Sequence, residues 1–212
     1  MIKAIIFDMD GVIINSEPLH FKAGKGVLKK YGKEIDWKFY SRYIGTGEEY
    51  FWSRIVKELK LNVDWKTIGD QKAAAYLEHL KKVKAIPGVL DLIKRLKQRY
   101  KLGLASSSVQ KEIDIVLDKF KIRDCFDVVD SGEFIKKSKP EPDIYLITAK
   151  KLGVKPEECL VFEDAVNGVK AAKAAHMKCI AITTSFGVKD LKVADFIIHT
   201  FEGFNIDRIK EL

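Results

Sequence analysis

The chain opens with a short hydrophobic segment that ends abruptly in acidic residues. Residues 4–7 are all apolar, and they are followed by Asp8 and Asp10, one residue apart, and then by Gly11. Four β-prone residues bounded by turn formers predict a buried strand whose carboxyl end opens at the surface. Open α/β sheets bind ligands beyond such strand ends, where paired carboxylates are favourable beside a cation. Because an ordinary strand-to-turn junction also contains Asp and Gly, these residues alone leave both interpretations open.

The next part of the chain, up to about residue 100, has its apolar positions at helical spacing. Three stretches carry this spacing, residues 17–34, 51–59 and 73–80. The Pro87-Gly88 pair then marks the return to a different pattern. The sequence therefore predicts a helical insertion at residues 17–84 within a main domain formed by residues 1–16 and 85–212.

Beyond this pair, short apolar strands alternate with amphipathic helices. The predicted helices cover residues 89–98, 111–120, 143–152 and 166–175, and the predicted strands cover residues 102–105, 126–129, 159–162 and 179–182. Near-continuous apolar strands that alternate with amphipathic helices are typical of a parallel sheet covered on both faces. We therefore predict an α/β fold: a doubly wound, Rossmann-like parallel sheet with an inserted α-helical cap domain.

Composition narrows the class of protein. A chain of 212 residues with 47% hydrophobic residues can form one large core and a smaller unit, and it is too hydrophobic for a disordered protein. No apolar run reaches the length of a membrane span, and Asp8 interrupts the first run too early for a signal peptide. We therefore expect a cytoplasmic protein, a monomer, that binds no membrane. Cys125, Cys159 and Cys179 lack metal-type spacing, so we expect buried free thiols.

The formal net charge of +8 raises the question of nucleic acid binding. However, the lysines are scattered between acidic residues and do not form one basic block. This pattern favours a solvated, lysine-rich surface and argues against a nucleic acid partner. A positive field would also attract a phosphorylated substrate.

Three of the predicted strands are followed by residues whose side chains can take part in catalysis or metal binding. These are Asp8 and Asp10 after the first strand, Ser106, Ser107 and Ser108 after the second, and Glu163 and Asp164 after the strand that ends at Phe162. Because the carboxyl ends of neighbouring parallel strands meet at one edge, these side chains should converge in one crevice. Lys139 adds a cation from a segment stiffened by Pro140 and Pro142. Acids, hydroxyls and a lysine together suit phosphoryl transfer with a hard divalent metal such as Mg²⁺.

Four motifs in this order resemble those of the haloacid dehalogenase-like phosphohydrolase superfamily: residues 7–12, the Ser106 region, Lys139-Pro140 and Glu163-Asp164. Each motif is weak alone, but all four in this strand context are specific. The resemblance spans the whole chain. The helical insertion resembles the small α-helical cap of that superfamily, and residues 11–20 are similar to its β-phosphoglucomutase and sugar-phosphatase branch.

The resemblance implies roles for the matching residues. Asp8 is implied as the nucleophile and a metal ligand, and Asp10 as the general acid/base whose backbone carbonyl also meets Mg²⁺. Ser106, Ser107 and Lys139 are implied to bind the transferred phosphoryl group. Asp164 is implied as a metal ligand, and Glu163 as either a ligand or an anchor next to the metal. The implied activity is Mg²⁺-dependent hydrolysis of a small phosphorylated metabolite, with a sugar phosphate favoured, through an aspartyl phosphate.

The insertion leaves two reaction types open. His20 and Lys72 lie where the β-phosphoglucomutase has a hinge histidine and a substrate-binding lysine. An ordinary position on the helix surface is an equally good interpretation of His20 and the favoured interpretation of Lys72. Gly45, in the segment 43–49, is a further candidate for substrate contact. That segment contains no arginine where the mutase holds its second phosphate, and it carries two glutamates. We therefore favour a phosphatase and keep a β-phosphoglucomutase-type phosphotransferase as the alternative. A non-catalytic binding module is less favoured, because every chemical position is filled.

Overall fold

The chain divides into two compact units. The computed structural model describes residues 1–43 and 48–212. Residues Met1–Asn15 and Lys84–Leu212 form the first unit, and residues Ser16–Val83 form the second. The first unit contains a parallel sheet with flanking helices, and the second is a helical insertion. The predicted fold class is therefore confirmed.

The insertion is built around tightly packed aromatic side chains. Its helices are α1 (Glu17–Lys30), α2 (Trp37–Tyr40), α3 (Glu48–Glu58) and α4 (Trp65–Leu80). Both α1 and α3 pack against α4. Tyr40, Phe51 and Trp52 are buried, and the centroids of neighbouring rings in this row lie 4.9 Å apart. Gly24 permits this packing, because a Cβ at that position would lie 3.1 Å from the Trp52 ring and 3.2 Å from the Tyr40 ring.

The first unit is organised around its sheet. Its strands are β1 (Ala4–Phe7), β2 (Lys101–Ser106), β3 (Val128–Ser131), β4 (Cys159–Glu163), β5 (Lys178–Ile182) and β6 (Phe196–Ile198). Across the described residues they form one parallel sheet in the order β3-β2-β1-β4-β5-β6. The chain first adds strands on one side of β1 and then on the other. The strand order therefore reverses next to β1, which is where open α/β sheets bind ligands.

Helices and a C-terminal segment cover both faces of this sheet. The helices are α5 (Val89–Lys97), α6 (Gln110–Phe120), α7 (Asp143–Leu152) and α8 (Val166–Ala174). Ile6 points to the face covered by α7 and α8, where it shares a core with Tyr145 and Val169. The next residue, Phe7, points to the other face and stacks on Phe162, which also contacts Phe201. Burial on both faces explains why the strands are almost entirely apolar.

The register of the sheet aligns the ends of three strands. Phe7 pairs with Leu104 of β2 on one side and with Phe162 of β4 on the other. The backbone N–H of Asp8 continues the ladder by donating to the Phe162 carbonyl at 3.0 Å. The residues that follow β1, β2 and β4 therefore leave the sheet at the same edge.

Two strands differ from the sequence prediction by more than one residue at an end. The third strand was predicted at residues 126–129 but spans Val128–Ser131. Asp127 comes before it and exchanges two hydrogen bonds with the Leu102 backbone, one of them through its side chain at 2.8 Å. The strand instead continues through Asp130 and Ser131, which are polar but buried. The sequence pattern also did not predict β6, which has three residues and lies at the edge of the sheet.

Two expectations from composition can be compared with the structure. Cys159 and Cys179 are buried free thiols as predicted, whereas Cys125 is free but only half-buried. Among the described residues, no helix has both the length and the apolar character needed to cross a lipid bilayer.

Candidate active site

A buried lysine links two acidic residues at the carboxyl edge of β1 and β4. Lys139 Nζ donates to Asp8 Oδ1 at 2.6 Å and to Glu163 Oε1 at 2.8 Å. At most 9% of each of these three side chains is exposed. Charged groups are stable in such a position only when they are paired and hydrogen-bonded. The loop before α7 thus places its lysine between the residue that follows β1 and the last residue of β4.

This arrangement perturbs the pKa of each group. Burial raises the pKa of Asp8 to about 8 in spite of the attraction of Lys139, and repulsion from Glu163 and Asp10 adds to the increase. Burial alone would lower the pKa of Lys139, but Asp8 and Glu163 outweigh it and raise that pKa. The pKa of Glu163 is lowered because Lys139 and several hydrogen bonds overcome the effect of burial. Asp8 therefore gains further stabilisation as an anion from any additional cation beside it.

Glu163 is fixed by four hydrogen-bond donors. Its Oε1 accepts from Lys139 and also from the Tyr145 hydroxyl, each at 2.8 Å. Its Oε2 accepts from the backbone N–H groups of Asp164 at 2.8 Å and Ala165 at 2.9 Å. A carboxylate offers about four lone-pair sites, so these bonds use its acceptor capacity. Gly168 of α8 leaves room for this carboxylate, because a Cβ there would overlap it.

Asp164 lies beside this pair and completes a cluster of carboxylates. Asp8, Glu163 and Asp164 each offer an oxygen, and these oxygens lie within 4.8 Å of one another. Burial, with repulsion from Glu163 and Asp8, raises the pKa of Asp164 well above its usual value, although Asp164 accepts a short hydrogen bond from the Ser185 hydroxyl. Gly11 has a φ of 76°, and a Cβ there would overlap the Asp164 carboxylate. A glycine is therefore required at this turn.

Asp10 contacts the serines that follow β2. Its Oδ2 accepts from Ser108 Oγ at 2.7 Å and lies 3.5 Å from Ser106 Oγ. Its Oδ1 is buried and has no hydrogen-bond partner in the part of the chain that the structure describes. Buried carboxylate oxygens without donors are unfavourable, and a nearby cation removes this penalty. The carboxylate oxygens of Asp8, Glu163 and Asp164 are the hard donors that a divalent cation of the Mg²⁺ type prefers.

The remaining core residues predicted for phosphate binding lie next to this cluster. Ser106 is buried at the end of β2, and its Oγ accepts from the backbone N–H of Ser108 at 3.1 Å. Ser107 is exposed and lines a cleft together with Ser138 and Lys139. The structure therefore brings together the predicted residues of all four core motifs at one edge of the sheet.

Two of the three candidate residues of the insertion, His20 and Lys72, lie against the same aromatic side chain. The His20 ring stacks on Tyr76 with a centroid distance of 3.9 Å and an interplanar angle of 9°. Lys72 Nζ lies 5.1 Å from the centroid of the same Tyr76 ring. Desolvation of the His20 ring and then repulsion from Lys72 lower the pKa of His20 well below 6.5, so the ring is neutral at pH 7. Gly45 lies outside the described residues.

Sequence reasoning missed three residues that support the cluster, Tyr145, Ser185 and Gly168. Gly168 had a usable signal, because a glycine inside a predicted helix directly after a functional motif indicates close packing. Tyr145 carried a weaker signal, its place in the first turn of the helix that follows the Lys139 loop. Ser185 follows β5, and only the observed strand order brings that loop to Asp164.

Comparison with known proteins agrees with this geometry. Residues 5–182 match the family described as haloacid dehalogenase-like hydrolase, and the chain therefore belongs to that family. Within it, the relatives place the chain in the β-phosphoglucomutase and sugar-phosphatase branch, which confirms the resemblance seen in the sequence.

Three relatives illustrate this placement. The chain is 35% identical over 188 residues to a putative phosphatase of Bacillus subtilis strain 168, across 86% of this chain and 84% of the relative. It is 35% identical over 182 residues to the phosphorylated carbohydrates phosphatase of Thermotoga maritima, across 84% of this chain and 83% of the relative. The crystal structure of β-phosphoglucomutase from Clostridium difficile aligns with a TM-score of 0.84 and 29% identity, covering 100% of this chain and 96% of that one.

Proposed function

We propose that this protein is a Mg²⁺-dependent phosphatase that hydrolyses a small phosphorylated metabolite, with a sugar phosphate as the favoured substrate class. The observation that carries the proposal is the buried Asp8 carboxylate, paired directly with Lys139 and adjacent to Asp164. Relatives named as phosphatases, including one named for phosphorylated carbohydrates, support the same conclusion.

In this proposal two carboxylates and a backbone group hold the metal. Asp8 and Asp164 supply side-chain oxygens, and Asp10 supplies its backbone carbonyl. When bound, Mg²⁺ neutralises charge on the phosphoryl oxygens, which lowers the repulsion between an anionic substrate and Asp8. Of the two roles open to Glu163, we favour the anchor, because its four hydrogen bonds leave its oxygens already occupied.

The reaction proceeds by two displacements at phosphorus. An Asp8 oxygen attacks phosphorus and forms an aspartyl phosphate, while the bond to the substrate oxygen breaks and Asp10 donates a proton to that oxygen. Asp10 then accepts a proton from water as the water attacks phosphorus, which releases inorganic phosphate and restores the Asp8 carboxylate. Lys139 and the donors of Ser106 and Ser107 hold the transferring oxygens in both steps.

The insertion serves as a cap in this proposal, with the predicted division at residues 17–84. His20, Lys72 and Gly45 are its candidate substrate-contacting residues. We further propose that the protein acts in the cytoplasm as a monomer and without a membrane. Because the positive charge is scattered along the chain, we also propose that it binds no nucleic acid.

A β-phosphoglucomutase-type phosphotransferase is the second candidate. The structural similarity to β-phosphoglucomutase favours it. The two reactions share the first displacement and differ in the acceptor, which is water for a phosphatase and a sugar hydroxyl for a mutase. The segment 43–49 has no arginine to hold a second phosphate, so the phosphatase is preferred.

Hydrolysis of p-nitrophenyl phosphate and of a panel of sugar phosphates tests the proposal. Asp8→Asn should fold normally and lose activity on the order of a thousandfold or more, because an amide is a poor nucleophile. Asp130→Asn is a matched control, since Asp130 is also buried but bonds only to Thr148 and Lys151 in the described contacts. Chelation should abolish turnover, Mg²⁺ should restore it, and Ca²⁺ should compete without supporting turnover. Near-native activity in Asp8→Asn, or after exhaustive chelation, would contradict the proposal.

A further inference from the structure

We propose that Tyr145 is a positioning residue whose hydroxyl holds Glu163 so that Lys139 stays beside Asp8. The catalytic consequence of this inference rests on the proposed phosphatase function. Tyr145 lies in the first turn of α7 and has no exposed surface. It contacts two charged groups of the candidate site, the Glu163 carboxylate and the Lys139 ammonium.

The first part of the argument is a shared acceptor. The Tyr145 hydroxyl and Lys139 Nζ donate to the same oxygen, Glu163 Oε1, each at 2.8 Å. The same ammonium also donates to Asp8 Oδ1 at 2.6 Å. With the hydroxyl present, Glu163 Oε1 accepts from two donors and attracts Lys139 less strongly than it would with one. Lys139 Nζ can then keep its hydrogen bonds to both Glu163 and Asp8.

Removal of the Tyr145 hydroxyl would change the position of Lys139 Nζ between the two carboxylates. A buried carboxylate oxygen that loses a donor carries a desolvation penalty until another donor replaces it. The ammonium of Lys139 is already bonded to that oxygen and would approach it more closely. It would thereby move away from Asp8 and from the oxygens that Lys139 holds during phosphoryl transfer.

The aromatic ring of Tyr145 makes a separate contribution. Lys139 Nζ lies 4.8 Å from the ring centroid, within the range of a cation–π interaction. Tyr145→Phe keeps this ring and removes only the hydroxyl, so it isolates the effect of the hydrogen bond. Tyr145→Leu removes both the ring and the hydroxyl. Its kcat should therefore fall further than that of Tyr145→Phe, and the difference measures the contribution of the ring.

A kinetic comparison is the first test. In Tyr145→Phe we expect kcat for p-nitrophenyl phosphate to fall about tenfold while KM stays within about twofold, because charge stabilisation by Lys139 matters most in the transition state. Thr148→Val is the matched control: Thr148 lies on the same helix, is fully buried, and donates its hydroxyl to Asp130 at 2.7 Å, away from the cluster. It should keep the kcat of the unsubstituted protein. A Tyr145→Phe enzyme with unchanged kcat, or an equal loss in Thr148→Val, would overturn the inference.

The second test observes the Lys139 ammonium directly and does not require turnover. In protein labelled with ¹⁵N at lysine Nζ, exposed ammonium groups exchange their protons with water too rapidly to be detected near pH 7, whereas a buried, hydrogen-bonded group is retained. Loss of the signal in Lys139→Arg assigns it. We expect this signal to shift and broaden in Tyr145→Phe and to remain unchanged in Thr148→Val. An unchanged signal in Tyr145→Phe would overturn the inference, even if the unsubstituted protein hydrolyses no phosphate ester and the proposed function has failed.

Discussion

At the scale of single residues, Asp8 and Asp10 are near neighbours with different partners. Asp8 is paired with the Lys139 cation, whereas Asp10 accepts hydrogen bonds from neutral serine hydroxyls. Burial raises the pKa of Asp8 in spite of this pairing, so the ionised form that a nucleophile needs depends on Lys139 and on any further cation bound beside it. The hydroxyl groups of Ser106 and Ser108 hold the Asp10 carboxyl group among the residues predicted to bind phosphate, where a general acid/base must lie. This difference supports the division of roles between the two residues.

Asp10→Asn should therefore slow hydrolysis according to the leaving group. For a sugar phosphate, whose alkoxide needs a proton, we expect a loss of about a hundredfold or more. For p-nitrophenyl phosphate, whose leaving group is stable as an anion, the loss should be much smaller. The ratio of the two kcat/KM losses is the measurement. Equal losses on both substrates would show that Asp10 does not protonate the leaving group.

The sequence predicted that the candidate residues of the four core motifs lie together, but it did not predict the partners of each side chain. Asp8, Lys139 and Asp164 could be identified because each lies next to a turn signal, a proline or the end of an apolar strand. The bonds from Ser185 to Asp164 and from Ser108 to Asp10 depend on side-chain directions in loops, which sequence patterns do not specify. The exact composition of the hydrogen-bond network therefore required the structure.

At the scale of elements, the packing of α1 on α4 places a histidine in an unfavourable position for protonation. The His20 ring of α1 lies flat on the Tyr76 ring of α4, with Lys72 one turn away on the same helix. Burial of the ring, followed by repulsion from Lys72, holds the pKa of His20 well below 6.5 in the folded protein. The unfolded chain takes up a proton near pH 6.5 and the folded chain does not, so acidification favours unfolding.

His20→Phe should reduce the sensitivity of the insertion to acid. Phe keeps a flat ring against Tyr76 but cannot be protonated. Between pH 7 and pH 5.5 we expect the free energy of unfolding of the unsubstituted protein to fall about 1 kcal/mol more than that of His20→Phe. Denaturant unfolding at both pH values provides the comparison, and carboxylate titration is common to both proteins. An identical decrease in the two proteins would show that His20 is protonated in the folded state.

The elements themselves were predictable to different degrees. The helices α6 and α7 of the main domain fell close to their predicted positions, because their apolar spacing is sustained over their whole length. The helix α4 begins at Trp65, whereas its predicted stretch began only at residue 73. The boundaries of β3 were wrong, because the register with β2 extends the strand through the polar Asp130 and Ser131. Short edge strands such as β6 have too few residues for a pattern to develop.

At the scale of the whole molecule, the order of the strands assembles the site from four distant parts of the sequence. The reversal next to β1 brings the ends of β1, β2 and β4 to one edge, and the loop before α7 adds Lys139. In the proposed mechanism this assembly serves the first displacement of both candidate reactions, which differ in whether water or a sugar hydroxyl then accepts the phosphoryl group. That choice depends on how the substrate is held and how well water is excluded.

An assay with β-glucose 1-phosphate and a bisphosphate primer distinguishes the phosphatase from the mutase, because the two reactions give different products. A mutase must hold a bisphosphate at both ends and protect its aspartyl phosphate from water. Because the segment 43–49 lacks an arginine, we expect inorganic phosphate to be released faster than glucose 6-phosphate is formed. Lys72→Ala should change the preference among sugar phosphates more than the turnover of p-nitrophenyl phosphate. Rapid isomer formation with negligible phosphate release would establish the mutase instead.

The most direct measurement is the chemical identification of the phosphorylated residue. A reaction with a phosphate ester is quenched in acid during turnover, and the denatured protein is treated with borohydride, which reduces an aspartyl phosphate to homoserine. Mass spectrometry of the N-terminal peptide then locates the change, with Asp8→Asn as the control. Homoserine at position 8 is the predicted result. Active enzyme in which Asp8 is never converted, or in which the conversion occurs at another aspartate, would contradict the assignment of Asp8 as the nucleophile.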